Sequence, residues 1–427
     1  MTRHFWVLFH RYAGLFMAFF LIIIGLTGSI IVFNPELGKW FDPPPKVTPQ
    51  SAAMLDAFTL RNRAQELVPH GQTNYLAFHL KPNEAYTAWV EPRIDPATDK
   101  PYDLDCSVLM LDPYSGAELK REKFNGDIWP ITSKNVMNLI NRLHYQMALP
   151  GSVGSYLFGI VALVWTIDCF VNGYLTFPVS IRRRENGEER ISKPERKSWL
   201  ARWWNPAWLV KWHASTYRVN FDLHRAGGLW VWIMLLALAW SSVGFNLYEE
   251  IYLPVMKTVF NMPDPWGNDL PKLVKPQLEP VLSWEEAHTT AQRLMAEQAK
   301  KNGFKVLRED TLSYQSEKGV FFYAVHSDRD LTDEAAATTL MFDDNTGKLE
   351  GFSLPTGQNA GSTIHTWIYA FHTAQIWGLP FRIFISGMGI LIVMLSVTGV
   401  YIWLKKRNAR RASKDKHTRL VEEKTVA

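Results

Sequence analysis

Cysteine is almost absent: Cys106 and Cys169 are the two in 427 residues. With no Cys-x-x-Cys spacing, they argue against iron–sulfur ligation and thiol redox chemistry. Neither His-Glu-x-x-His nor a cysteine-pair spacing occurs, so zinc is disfavoured as well. Charge is missing in four particular places. The apolar blocks Tyr12 to Phe33, Gly154 to Phe177, Ala226 to Leu247 and Ile383 to Leu404 hold a single charged residue among them, Asp168. Each has the roughly 20 residues needed to cross a bilayer, which excludes a small soluble domain. The first block is too long for a signal-peptide core and leads into Asn34-Pro35-Glu36-Leu37 instead of a small-residue cleavage site, so it reads as an uncleaved anchor.

What charge there is marks topology. Basic residues crowd the link between the second and third blocks, from Arg182-Arg183-Arg184 through Arg190, Lys193, Arg196 and Lys197 to Arg202, Lys211 and Arg218. The tail adds Lys405, Lys406, Arg407, Arg410 and Arg411. Positive flanks stay inside, so both termini and the link are expected in the cytoplasm and the two long connections outside. The net charge of +5 then follows from topology, and no nucleic-acid partner is needed. In the link, Trp199, Trp203, Trp204, Trp208 and Trp212 recur at near-helical spacing among cations. This pattern predicts amphipathic helices on the bilayer surface, with Pro206 restarting a helix capped by Asn205; docking of an electron donor is the other reading.

The chain also repeats itself. His10-Arg11-Tyr12-Ala13-Gly14-Leu15 opens the first block and His224-Arg225-Ala226-Gly227-Gly228-Leu229 the third. Leu143-His144 leads through Leu149-Pro150 to Gly159, and Phe371-His372 leads through Leu379-Pro380 to Gly389. Between the blocks, Leu111-Asp112-Pro113-Tyr114-Ser115-Gly116 resembles Phe342-Asp343-Asp344-Asn345-Thr346-Gly347, each a strand running into a tight turn. Ser283 and Glu286 form a capping box for a helix ending near Gly303, and Gly319 to Val325 reads as a strand. A shorter version of this helix-then-strand unit lies around Leu60 to Val68 and Tyr86 to Val90. The expected fold is therefore a membrane α-helical plus α+β protein: four transmembrane helices in two repeats, each repeat carrying an external helix-and-strand module. The segments are 1–34, 143–181, 223–248 and 371–404 for the helices, 35–142 and 249–370 for the modules, 182–222 for the link and 405–427 for the basic tail.

The repeat puts His10 and His224 at the inner ends of their helices, and His144 and His372 just before helices that enter from outside. Neutral imidazole is a natural axial ligand of haem iron, so two face-matched pairs would hold two b-type haems, one near each surface. His213 and His365, one or two turns away, are the reserve ligands. The glycines Gly14, Gly25, Gly28, Gly227, Gly228, Gly244, Gly387, Gly389 and Gly399 read either as room for a porphyrin or as ordinary close packing of membrane helices. Asp168 reads as a proton relay, as a hydrogen-bond partner of a haem ligand, or as a carboxylate paired with a local Ser, Tyr or Trp donor. Arg382 is placed to pair with a haem propionate or an anionic substrate.

Together, the two His-Arg-x-x-Gly-Leu starts, the His–Pro–Gly returns and the paired external modules resemble the PepSY-associated transmembrane protein family. Within it, the best functional resemblance is to bacterial inner-membrane dihaem ferric-siderophore reductases. That resemblance implies electron transfer from a cytoplasmic donor to ferric siderophore in the periplasm, with release of ferrous iron and His10, His144, His224 and His372 as the recurrent membrane histidines. Two other functions compete: a membrane-anchored PepSY interaction or inhibitory protein without redox activity, and a siderophore or metal transporter. Anchoring leaves the pairing of the histidines without a reason, and the helices carry few polar groups for a transport path.

Overall fold

A computed structural model describes residues 2–123, 128–178, 182–185, 188–191, 198–334 and 336–426. Lys193, Arg196 and Lys197 of the basic link lie outside them. The chain forms two compact units: one of residues 1–34, 138–248 and 371–427, the other of residues 35–137 and 249–370.

The first unit is helical. Among the described residues, three helices are long and apolar enough to span a bilayer: Arg3–Ile31, Val153–Thr176 and the first part of Gly378–Val426. The third apolar block does not make one straight helix as expected. Thr216–Trp230 and Trp232–Asn246 meet at a 71° bend, giving up to four spans if the bent pair counts as one. Gly227 and Gly228 lie in the turn before the break, where glycines commonly admit a kink. The indoles on either side fix it: Trp230 Nε1 donates to Trp208 O at 3.0 Å and Trp232 Nε1 to Cys169 O at 2.7 Å. Short helices, Val136–Gln146 and Ala360–His372, precede the second and last long ones. The basic tail is a continuation of the last helix, which reaches Val426.

The link also departs from expectation. One helix, Trp199–Trp208, runs through Asn205 and Pro206 without restarting. Its cap is Ser198, whose Oγ accepts from Ala201 N at 3.3 Å.

Packing inside the unit follows the apolar faces. Met17 and Leu21, Val161 and Trp165, Leu235 and Leu238, and Met388 and Ile392 form its buried core. The first and last helices cross at small residues. A Cβ on Gly25 would lie 2.7 Å from Gly389 O, and one on Gly389 would lie 2.3 Å from Ser29 Oγ. Ser29 Oγ and Ser386 Oγ exchange hydrogen bonds with the opposite backbone at 2.9 and 3.0 Å. Among apolar helices, such close backbone approach is the main source of attraction.

The second unit is α+β. Helix Trp284–Asn302 carries the expected capping box, Ser283 with Glu286, and ends at Gly303 in the left-handed region (φ 66°), which glycine enters at no steric cost. Its apolar face, Trp284, Ala287, Ala291, Leu294 and Met295, packs on a sheet built from Leu312, Phe321, Tyr323, Leu340 and Phe342. Within this unit the two modules share a sheet. Strand Tyr75–Ala77 of the first adds to the edge of the second module's sheet, pairing Tyr75, Leu76 and Ala77 with Ser313, Leu312 and Thr311 of Val306–Gln315. Leu76 and Leu312 are fully buried, so the added strand shares the core. The first module keeps its own helix, Ala57–Leu67, and a three-stranded sheet of Tyr86–Trp89, Val108–Leu111 and Glu118–Glu122. The repeated turns coincide in detail: Asp112 Oδ1 accepts from the N–H groups two and three residues on, Asp343 Oδ1 does the same, and Gly116 and Gly347 follow at φ 68° and 66°.

Candidate functional site: two histidine pairs

His10 lies in the third turn of Arg3–Ile31, and His224 in Thr216–Trp230. His144 falls in the last turn of Val136–Gln146, and His372 is the last residue of Ala360–His372. Both of these short helices end in left-handed residues that are not glycine: Met147 and Ala148 after the first (φ 54° and 52°), Ala374 and Trp377 after the second (φ 55° and 58°). Such residues are uncommon and costly, so each histidine sits at a tightly determined chain reversal.

The helices bring the four together in the two pairs that the repeat suggested. The ring centres of His10 and His224 are 6.2 Å apart, and those of His144 and His372 6.3 Å. A first-row metal bound to two imidazole nitrogens at about 2.0–2.1 Å, with each nitrogen about 1.2 Å from its ring centre, separates the centres by about 6.4 Å. Both separations match that spacing, so each pair would hold one metal between its rings. Among the described residues no group of three or more His, Cys, Asp or Glu side chains is placed for a metal.

Each ring is held through Nδ1. His10 donates to the Asp168 carboxylate at 2.9 and 3.0 Å. His224 donates to Leu395 O at 2.9 Å and Thr398 Oγ1 at 3.1 Å. His144 donates to Ile24 O and Thr27 Oγ1, both at 3.1 Å. His372 donates to Ser241 Oγ at 2.6 Å. The three hydroxyls already give their own protons to backbone carbonyls one turn back: Thr27 to Ile23 O, Ser241 to Ala237 O and Thr398 to Met394 O. Towards the rings they can only accept, as can the carbonyls and the carboxylate. His10, His144 and His224, each facing a carboxylate or carbonyl, therefore carry hydrogen on Nδ1 and keep the Nε2 lone pair for a metal, the usual arrangement of a ligating histidine with an outer partner; His372 takes the same tautomer when Ser241 spends its proton on Ala237 O.

Steric features agree. A Cβ on Gly28 would stand 2.9 Å from His144 Cε1 and one on Gly399 3.0 Å from His224 Cε1, so each ring occupies space that only glycine leaves open. Gly25 and Gly389 serve the helix crossing instead, and Gly14 and Gly387 face open space. Around His144 and His372 lies a cavity of about 470 Å³ walled by Ile24, Val161, Trp165, Leu238, Ile385 and Ile392, with Asn34, Asn141, Tyr145 and Asn246 as polar lining. This is the size and character of a cofactor pocket. Phe245 packs edge-on to His372 at 5.1 Å.

The reserve candidates lie elsewhere. His213 is exposed in the turn before Thr216–Trp230. His365 belongs to the other unit, bonded to Tyr252 Oη at 3.1 Å and stacked on Tyr369 at 4.2 Å; burial lowers its pKa to about 4. Arg382 is half-buried near the start of Gly378–Val426. Asp168, buried at 6% exposure, is hydrogen-bonded to His10.

Sequence reasoning missed Thr27, Ser241 and Thr398, although a signal existed. An offset of 214 residues carries His10 onto His224 and also Thr27 onto Ser241. An offset of 230 carries Pro150 onto Pro380, Gly159 onto Gly389 and Asp168 onto Thr398. Each partner thus repeats in register with its own helix: Thr27 and Ser241 by the offset of His10 and His224, Asp168 and Thr398 by the offset of Pro150 and Pro380.

In comparison with known families, the model of the PepSY-associated TM region matches residues 7–406. The chain belongs to the PepSY-associated transmembrane family. Among curated proteins no match is found. Membership in the PepSY-associated family covers both helical and α+β units and marks the chain as a multi-pass membrane protein.

Proposed function

We propose that this PepSY-associated protein is a dihaem reductase of the bacterial inner membrane, passing electrons from a cytoplasmic donor to ferric siderophore in the periplasm and releasing ferrous iron. In this reading the chain is two repeats with four spans, and the bent helix pair makes the third. The basic link and tail face the cytoplasm, and the α+β unit lies outside. One b-type haem sits between His10 and His224, the other between His144 and His372.

The observation that carries the proposal is the pairing itself: two imidazole pairs at metal-spanning distance, each ring fixed with Nε2 available. Haem, when bound, supplies one-electron transfer at iron. The protein's part is to orient and separate the ligands. Thr27, which holds His144, lies 17 residues after His10 on one helix, about 25 Å along its axis at 1.5 Å per residue. The two pairs therefore stand near opposite ends of one spanning helix. Ferric siderophore as acceptor is supported by the resemblance to the siderophore reductases, and one-electron reduction to ferrous iron weakens its hold by hard oxygen ligands.

The purified chain is expected to show b-type absorption with two haems per chain. Alanine at His10 or His224 should remove one, and alanine at His144 or His372 the other. Reduction of ferric siderophore, read by a ferrous-specific chelator, should require both. A colourless protein after expression with ample haem would refute the proposal.

A further inference from the structure

The side-chain partners of the four histidines match by type except at one position. Thr27 and Ser241, equivalent by the 214-residue offset, both offer a hydroxyl oxygen, to His144 and His372. Asp168 and Thr398, equivalent by the 230-residue offset, do not match: His10 donates to a carboxylate, and His224 to a hydroxyl and a carbonyl. Three rings thus have neutral acceptors and the fourth has a buried anion.

We propose that Asp168 is a positioning residue that lowers the reduction potential of the haem held by His10 and His224 below that of the haem held by His144 and His372, so that electrons run downhill from the first pair to the second. The inference rests on the haem reading above. A carboxylate accepting from Nδ1–H makes the imidazole a stronger electron donor through Nε2, which favours the oxidised metal. Its charge acts the same way, because the oxidised centre carries one more positive charge and the site is shielded from water.

Cations at that end oppose the effect. Arg218 and Arg225 are already bound to the fully buried Asp222 at 2.9 Å each. Lys406 is exposed and Arg11 half-exposed, so water and salt screen them. Asp168, at 6% exposure and in contact with the ligand itself, outweighs them. Nothing but an electron moves: the centre at His10 and His224 is oxidised by one electron as the centre at His144 and His372 is reduced by one.

The test is spectroelectrochemical titration of the purified full-length chain with its haems. The native protein is expected to show two resolved midpoints. Asp168→Asn, which keeps an acceptor but removes the charge, should raise one of them by about tenfold in the reduction equilibrium, or 59 mV for one electron, and leave the other in place. Asp168→Thr, which imports the residue of the other repeat, should do the same. In single-haem chains that keep Asp168, the haem remaining in His144→Ala should titrate below the haem remaining in His10→Ala. Unmoved midpoints in Asp168→Asn with both haems bound would overturn the proposal. So would the opposite order in the single-haem chains, which decides the matter if the Asp168 variants shed haem. Absence of haem from the native chain would overturn the haem reading instead.

Discussion

Ser241 and Thr27 occupy equivalent places, yet their removal should differ in effect. His372 has one described hydrogen bond, to Ser241 Oγ at 2.6 Å, and Ser241 is fully buried. His144 has two, to Thr27 Oγ1 and to Ile24 O, both at 3.1 Å. In Ser241→Ala the Nδ1–H of His372 is left buried without an acceptor and the ring loses its orientation. Loss of such an outer partner weakens a metal site by about 10–100-fold, or about 1.4–2.7 kcal/mol. In Thr27→Val the shape is retained and Ile24 O still accepts, so the loss should be a factor of a few, below about 1 kcal/mol. The assay is haem transfer from the purified protein to excess apomyoglobin, followed optically. Ser241→Ala should release the haem of the His144 pair at least tenfold faster than native protein and clearly faster than Thr27→Val. Equal rates for the two variants, or no change in Ser241→Ala, would refute the claim that Nδ1 bonding holds these rings for ligation.

Other expectations follow from local geometry. Gly28→Ala puts a methyl group 2.9 Å from His144 Cε1 and should cut the haem-to-protein ratio from two to one, whereas Gly14→Ala meets nothing within 4 Å and should leave it at two. In the α+β unit, burial alone would raise the Glu309 pKa, but hydrogen bonds from His288, Gln292 and Tyr323 override it and bring the pKa down to about 2. A depressed carboxyl contributes stability that is present above its unfolded value of about 4.3 and is lost as pH falls towards 2. Thermal melts of native protein and Glu309→Gln should therefore differ most near neutrality and converge across that window; a difference independent of pH would count against it. Ser283→Ala breaks the capping box and should destabilise the same unit by about 1 kcal/mol in chemical denaturation.

Much of this was legible because repetition amplifies weak signals. A lone histidine at a membrane boundary says little, but His10 with His224 and His144 with His372, at matched places in two repeats, define the pairs. The external turns at Gly116 and Gly347 and the cap at Ser283 were readable because their chemistry is local. Three features were not. The break at Val231 is hidden in an unbroken apolar run, since hydropathy records transfer to lipid and is blind to direction. The strand Tyr75–Ala77 has only three residues, and the edge it joins is more than 200 residues away in the sequence. The basic tail reads as a polar extension, but the last helix has no stop signal after Leu404 and continues.

The partners of the histidines show why a site's outer layer is harder to read than its ligands. Thr27, Ser241 and Thr398 look like ordinary small polar residues of membrane helices, each satisfying its hydroxyl on the carbonyl one turn back. That very bond turns the oxygen's remaining lone pairs towards a donor and excludes it from giving a proton to the ring. The 214-residue offset that aligns His10 with His224 also aligns Thr27 with Ser241, so the search for a partner reduces to asking what stands at the equivalent place in the other half. Asked of Asp168, the answer is Thr398, an uncharged acceptor on the ligand across the same pair. A carboxylate that served only to close a helix contact would find its equivalent in the same role. Here the equivalents both accept from a ring Nδ1, and one of them alone carries a charge.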